Sequence, residues 1–322
     1  MPRRPPGTSS NEFTLVRVYD APVSAVWDAW TDTAQVAQWW GPRGFTTTTH
    51  SKDLRPGGTW RYTMHGPDGT DYPCVTLYHE VERHAKLVYD HGGNDDSPPL
   101  FRVRALFAAQ GKGTRMELTF AFETPEKAAE TLAFIKTVGG FSTWDRLAEY
   151  LVKRSADREV FVIARDFDAP IDRVFEMWTN PKHLAQWLPP GGDPMEFLSC
   201  DIRAGGGSRY AMTLPNGQKM YGRLSYLEIV PPERIIYTQQ FCDAEGRAAR
   251  HPLSPTWPET MLTTVTFSPS GVGRTRIRIE WEPHGSFSPG ELETFVSARA
   301  GMTQGWTGSL DNLEAALGPP GG

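Results

Sequence analysis

The sequence predicts an α+β chain of two like domains. Each is a curved antiparallel sheet wrapped around a long C-terminal helix, with two short helices after the first strand. Three observations predict it. The chain repeats itself: Phe13-Thr-Leu-Val-Arg-Val-Tyr-Asp-Ala-Pro22, Val26-Trp-Asp-Ala-Trp-Thr31 and Ala37-Gln-Trp-Trp40 return at constant spacing as Phe161-Val-Ile-Ala-Arg-Asp-Phe-Asp-Ala-Pro170, Val174-Phe-Glu-Met-Trp-Thr179 and Ala185-Gln-Trp-Leu188. Apolar residues in the middle of each copy recur with period two, and those at its end recur with helical period. A repeat this long is a whole domain, since solenoid units run roughly 20–50 residues.

A chain of 322 residues suits two domains of about 150 residues, each able to bury its own core. The repeat puts them at 13–154 and 155–318, with disordered tails expected at 1–12 and 319–322. Phe13–Tyr19 reads as a strand with Phe13, Leu15 and Tyr19 on one face. Pro22 fits the first turn of a helix, where a missing N–H costs nothing. Val23, Val26, Trp27 and Trp30 then trace an amphipathic stripe, repeated by Ile171, Val174, Phe175 and Trp178. A second short helix opens at Asp32 in one copy and at Asn180-Pro181 in the other, each a good N-cap. Gly41-Pro42 and Pro189-Pro190 stop it.

The period then changes to two. Trp60, Tyr62 and Met64 alternate with polar residues; so do Phe101, Val103, Ala105 and Phe107, then Met116, Leu118 and Phe120, and in the second copy Ile277, Ile279 and Trp281. These are half-buried antiparallel strands. Pro-Gly-Gly, Pro-Asp-Gly, Pro-Asn-Gly and Gly-Lys-Gly supply the turns. Thr124-Pro125 opens the first long helix, and Ser288 with Glu291 forms a capping box for the second. Leu132, Ile135, Val138, Phe141, Trp144, Leu147 and Leu151 trace the apolar face of the first, and Leu292, Phe295, Met302, Trp306, Leu313 and Leu317 that of the second. Gly139-Gly140 and Gly301/Gly305 fall inside these helices, where each glycine costs about 1 kcal/mol against alanine. Close helix–sheet packing, a kink, or room for a ligand would each explain them.

The motifs Asp-Ala-Pro…Val-Trp-x-Ala-Trp-Thr-Asp…Ala-Gln-Trp-Trp-Gly-Pro-x-Gly-Phe and Asp53-Leu-Arg-Pro-Gly-Gly-Thr-Trp-Arg-Tyr62 resemble the activator of heat-shock-protein-90 ATPase homologue-like domains of the SRPBCC superfamily, related to START and birch-pollen-allergen folds. The resemblance spans both copies except the tails. The second copy departs from it with Leu188-Pro189-Pro190 for Trp-Gly-Pro and Ser208 at the position of Trp60. The resemblance implies a helix-grip fold with a cavity between sheet and long helix. It leaves chemistry open, because the superfamily includes lipid carriers, aromatase/cyclases and co-chaperone modules.

If such a cavity exists, the clean strand alternation names its wall: Trp60, Tyr62 and Met64 in the first copy, Tyr210 and Met212 in the second. Gly140, Trp144 and Trp306 would face it from the long helices, with Trp40 and Trp187 at the mouth or in the core beneath. Arg17 and Arg165 share a strand face with apolar residues, so each needs a carboxylate or a ligand oxygen. Glu80 and Glu228 are the proposed partners. The strand around Tyr78-His79-Glu80 has no single phase, which a bulge would reconcile. His79 has Leu227 as its counterpart and is expected to be satisfied or exposed. The segment from Cys242 to Thr260 is a long insertion, a lid or a surface loop.

Net charge is −5, and basic residues are scattered, so nucleic acid is not expected as a partner. No apolar run approaches the roughly 20 residues of a membrane helix, and the N-terminus lacks the apolar core of a secretory signal. The three cysteines, Cys74, Cys200 and Cys242, show no pairing pattern and suit a reducing cytoplasm. No metal or nucleotide motif appears, and no cofactor or catalytic residue is assigned. The expected function is binding of a small hydrophobic or amphipathic molecule. The alternatives are a chaperone-activator type of protein-binding module, with a chaperone or another protein as partner, and a cyclase- or hydrolase-like enzyme.

Overall fold

The computed structural model describes residues 11–93, 97–137, 139–155, 159–190, 195–214 and 217–318. The chain divides into two compact units, Met1–Ser155 and Ala156–Gly322. Unit 1 runs β1 (Glu12–Tyr19), α1 (Val23–Thr31), α2 (Thr33–Val36), β2 (Thr46–Lys52), β3 (Thr59–His65), β4 (Asp71–Glu82), β5 (Lys86–His91), β6 (Phe101–Gln110), β7 (Gly113–Ala121), α3 (Pro125–Thr137) and α4 (Ser142–Ser155). Its strands form one antiparallel sheet in the order β1-β7-β6-β5-β4-β3-β2. Unit 2 repeats this with β8 (Phe161–Phe167), α5 (Ile171–Thr179), α6 (Pro181–Trp187), β9 (Glu196–Cys200), β10 (Gly207–Thr213), β11 (Lys219–Val230), β12 (Arg234–Cys242), β13 (Thr260–Gly271), β14 (Arg274–Pro283), α7 (Pro289–Ser297) and α8 (Arg299–Leu317). Its sheet order is β8-β14-β13-β12-β11-β10-β9. The helix-grip architecture is present in both units.

Local chemistry explains the boundaries. The Asp32 carboxylate accepts from Gln35 N at 2.9 Å, and Asn180 Oδ1 from Lys182 N at 3.0 Å, capping α2 and α6. Ser288 and Glu291 cap α7 reciprocally. Pro22 and Pro170 sit one place earlier than expected: each is the extended N-cap, and the Pro22 carbonyl accepts the first helical bonds from Ala25 and Val26. The phase conflict on β4 and β11 is resolved by register shifts between Tyr78 and Glu80 and between Tyr226 and Glu228. One extra residue turns the strand face over, so Tyr78 and Tyr226 are buried while Leu77 and Leu227 face water.

Two expectations need correction. The C-terminal helix is divided in both units. In unit 1 Gly139 has φ +67°, a left-handed turn between α3 and α4, and a Cβ on Gly140 would lie 2.7 Å from Ile135 Cγ2. Those glycines serve a turn and a close approach, so a bulky residue at 140 would push α3 aside. In unit 2 the break falls at Ala298, and Gly301 and Gly305 remain inside α8 with open space around them. Residues 11 and 12, expected in a disordered tail, are ordered: Glu12 opens β1, and Asn11 Nδ2 donates to Phe122 O at 2.7 Å. Residues 1–10 and 319–322, Val138 and the linker residues 156–158 lie outside the described residues.

Candidate functional site

Unit 1 holds a half-open cavity of about 550 Å³ between its sheet and C-terminal helices, inside the roughly 300–1,000 Å³ range of small-molecule sites. Inward residues of successive strands build one wall: Phe13 on β1, Phe120 on β7, Phe101 and Val103 on β6, Tyr89 and His91 on β5, Cys74 on β4 and Met64 on β3. Strand pleating puts them there, since alternate side chains share a face. Leu132, Phe134 and Ile135 of α3, Gly140 and Phe141 of the turn, and Thr143 and Trp144 of α4 close the other side. Trp40, Gly41 and Pro42, after α2, complete the lining.

Trp40 and Trp144 belong to a rigid cluster with Trp30 and Trp39, their ring centroids 5.2–6.2 Å apart. Trp39 Nε1 donates to Ala29 O at 2.9 Å, tying the segment to α1. α4 holds Gly41-Pro42-Arg43 in place. Arg146 Nη1 donates to the Gly41 and Pro42 carbonyls at 2.8 and 2.9 Å, and the Arg43 guanidinium grips Glu149 through two bonds of 3.2 and 2.7 Å. Burial pulls the Arg146 pKa down to about 10, which leaves it charged at neutral pH.

The lining is apolar and electrically quiet. Among its described residues there is no lysine or arginine, and the single carboxylate, Asp71, is solvent-exposed and bonded to His65 Nδ1 at 2.6 Å. Burial lowers the His91 pKa from 6.5 to about 4, so the ring is neutral at pH 7. His91 stacks on Phe101 at 4.8 Å and hydrogen-bonds the Tyr62 hydroxyl through Nδ1 at 3.3 Å. Burial raises the pKa of the Cys74 thiol and, well above the usual value, those of the Tyr62 and Tyr89 phenols. Lys52 sits behind the wall, its Nζ donating to Trp30 O at 2.8 Å and lying 4.5 Å from the Trp60 ring centroid; desolvation lowers its pKa to about 7.

Of the residues anticipated for a site, Trp40, Met64, Gly140 and Trp144 line this cavity. Trp60 and Tyr62 do not: they stack on each other at 4.0 Å, and Trp40 packs edge-on against both at 5.2 and 6.3 Å. The Trp40 indole stands between them and the open space. The anticipated ion pairs also fall elsewhere. Glu80 pairs with Lys86 at 2.6 Å and Glu228 with Arg234 at 2.5 Å. Sheet order is the reason: β1 and β4 lie at places separated by β7, β6 and β5, too far for Arg17 to reach Glu80. Arg165 instead reaches across to α8, meeting Asp311 at 2.6 Å and Glu314 at 3.7 Å. Arg17 is buried, as expected of an inward strand position, but neither it nor Glu80 lines the cavity. His79 is satisfied by Asp90 at 2.8 Å.

Unit 2 treats the same ground differently. The partner of Phe13 on β7 is Phe120, and the partner of Phe161 on β14 is Trp281. Trp257, from the insertion, lies 5.6 Å from Trp281 and 6.0 Å from Phe295 of α7. The Trp257 ring thus packs between strand β14 and the first C-terminal helix of unit 2. Trp306 stacks on Trp178 as Trp144 packs on Trp30, and four residues before Trp306 stands buried Met302 where unit 1 has Gly140. Trp257 and Met302 join Phe161, Tyr237, Met261 and Phe295 in one buried cluster. Trp187 donates to Met177 O at 2.8 Å, Tyr210 accepts from Gln239 Nε2 at 2.6 Å, and Met212 packs partly buried against the core. The insertion thus packs Trp257 into the unit 2 core, with Arg250 tied to Glu291 at 2.5 Å.

His91 and Cys74 were not anticipated. The in-phase run Leu87, Tyr89, His91 carries the signal for the first, and its counterpart Gln239 meets Tyr210 as His91 meets Tyr62.

A family profile described as "Activator of Hsp90 ATPase homolog 1-like protein" matches residues 20–152 and again 168–318. A crystal structure of a Chromobacterium violaceum protein is 32% identical, covering 50% of this chain and 97% of its own, with a TM-score of 0.39. A Nitrosomonas europaea protein is 21% identical (46% and 97% covered, TM-score 0.42), and an Arthrobacter aurescens protein 24% identical (47% and 91%, TM-score 0.42). A search among curated proteins finds no match. Among the described residues no helix is long and apolar enough to cross a membrane, and no group of His, Cys, Asp or Glu is placed to hold a metal ion.

Proposed function

The chain belongs, through both of its halves, to the activator of Hsp90 ATPase homolog 1-like family, and from that premise we propose that unit 1 binds a small hydrophobic or amphipathic molecule while unit 2 serves as a packed companion. One observation carries the reading: an apolar cavity of about 550 Å³ lies between the sheet and the C-terminal helices of unit 1. Electrostatics weigh against catalysis there. A half-buried thiol with a raised pKa is a poor nucleophile at neutral pH, and an imidazole whose pKa is about 4 is a weak base. The free thiols of Cys74, Cys200 and Cys242 suit a reducing cytoplasm. A melting-temperature screen of fatty acids, sterols and aromatic polyketide-like compounds tests the reading, alongside native mass spectrometry of gently purified protein. A ligand at a hundredfold its dissociation constant adds about 2.7 kcal/mol. No stabilisation by any class, with no co-purified molecule, would turn the assignment to the protein-binding alternative.

A further inference from the structure

We infer that the unit 1 cavity selects a neutral ligand carrying one hydrogen-bonding oxygen, which docks on the His91 ring nitrogen that does not face Tyr62, and that it rejects carboxylates. The inference rests on the ligand-binding reading above and narrows it to a chemical class. It is carried by three observations.

The first is the hydrogen-bonding state of His91. Among the described residues the side chain has one hydrogen-bond partner, the Tyr62 hydroxyl on Nδ1. The ring lies along the cavity between Phe101 and Trp40, with centroids 4.8 and 5.9 Å away. Its second nitrogen makes no hydrogen bond to a described residue, which leaves it able to pair with a ligand oxygen. A hydroxyl meets either tautomer, because it both donates and accepts.

The second is the absence of countercharge. The described lining residues include no lysine or arginine, and the neutral imidazole brings none. A carboxylate entering this space would lose its hydration without a partner, which is strongly unfavourable. The guanidiniums beside the lining segment Gly41-Pro42 are already committed, Arg43 to Glu149 and Arg146 to the Gly41 and Pro42 carbonyls.

The third is the comparison between copies. Unit 2 keeps the pair, as Gln239 and Tyr210, but Gln239 donates to the tyrosine in a space that Trp257 helps to close. The polar pair is common to both folds, and in unit 1 its His91 member lines the cavity.

Three probes with one ring system separate the possibilities: pyrene, 1-pyrenemethanol and 1-pyrenecarboxylate, titrated into the full chain at pH 7 by energy transfer from Trp40 and Trp144. The expected order of affinity is the alcohol first, then pyrene about threefold to tenfold weaker, then the carboxylate more than tenfold weaker than the alcohol. In His91→Phe the alcohol should lose its advantage while pyrene binds as before, which also reports that the cavity is intact. His91→Gln, the residue unit 2 uses, should keep part of the preference. Equal affinities of alcohol and pyrene in the wild type, an unchanged ratio in His91→Phe, or a carboxylate that binds tightest would each overturn the His91 assignment and leave the cavity reading standing. Binding of none of the three would remove both. If His91→Phe fails to bind pyrene, the wild-type order and His91→Gln decide.

Discussion

His91 makes unit 1 sensitive to mild acid, and the size of the effect follows from its surroundings. In the unfolded chain an imidazole takes up a proton near pH 6.5; in the folded protein this ring refuses it until about pH 4. Between those values the unfolded state holds the extra proton, so stability falls as pH falls, and the contribution is fully present only above pH 6.5. At about 1.36 kcal/mol per pH unit the window is worth about 3 kcal/mol. The other groups facing the ring hold still in this range: the Tyr62 and Tyr89 phenols and the Cys74 thiol have raised pKa values and stay protonated. The one described carboxylate of the lining, Asp71, is out at the exposed rim. Substitution by glutamine, which fits against Tyr210 in unit 2, removes the titration and keeps a polar side chain. Urea unfolding of wild type and His91→Gln at pH 7, 5.5 and 4, followed on the unit 1 transition, should show the wild type losing about 3 kcal/mol relative to the variant by pH 4. The ring protons should titrate by NMR with a midpoint about 4. A stability difference that stays constant with pH, or a midpoint near 6.5, would refute the argument that the ring is desolvated.

Trp257→Ala should destabilise unit 2 by about 3–5 kcal/mol, the cost of removing a large buried aromatic, in chemical unfolding; a loss under about 1 kcal/mol would mean that the insertion does not pack into the core. Breaking the largely buried Arg43–Glu149 pair, with side chains 16% and 8% exposed, by Arg43→Ala should cost about 3–5 kcal/mol. Arg165→Ala should cost at most about 1 kcal/mol, because Asp311 is 61% exposed and water replaces the partner. Equal losses in those two variants would contradict the burial argument.

Much of this fold was legible in the sequence because its determinants are local. Apolar periodicity marked the strands and α1, α5 and α8, and side-chain caps at Asp32, Asn180 and Ser288 marked helix starts. Comparing the copies pointed to a bulge without deciding it, since Val75, Leu77 and Val81 favoured one face of the strand and Leu224, Tyr226 and Glu228 the other; both strands shift register there. What was not legible depends on sheet order and on who stands in front of whom. Period two puts Trp60, Tyr62 and Met64 on one face, yet only Met64 meets the cavity, because Trp40 comes from a distant segment to cover the other two. Likewise Arg165 found Asp311, far along the chain on α8, in place of Glu228, which Arg234 claims from the neighbouring strand. The helix break at Gly139 escaped because the apolar stripe continues across it; only a positive φ reveals the turn.

The weak seating of α3 sets a time scale as well as a shape. Leu132, Phe134 and Ile135 close the cavity from this helix, yet among its described side chains Ala128 alone is buried, and Phe134 is 53% exposed. The rest of the wall is sheet and the tryptophan-anchored α4. An element with so little buried apolar surface undocks at low free-energy cost, while strands in mid-sheet open only with the whole domain. On the ligand-binding reading, opening of α3 at its glycine turn would be the step that admits and releases a ligand. Stiffening that turn would slow release and capture together and leave the equilibrium affinity almost unchanged.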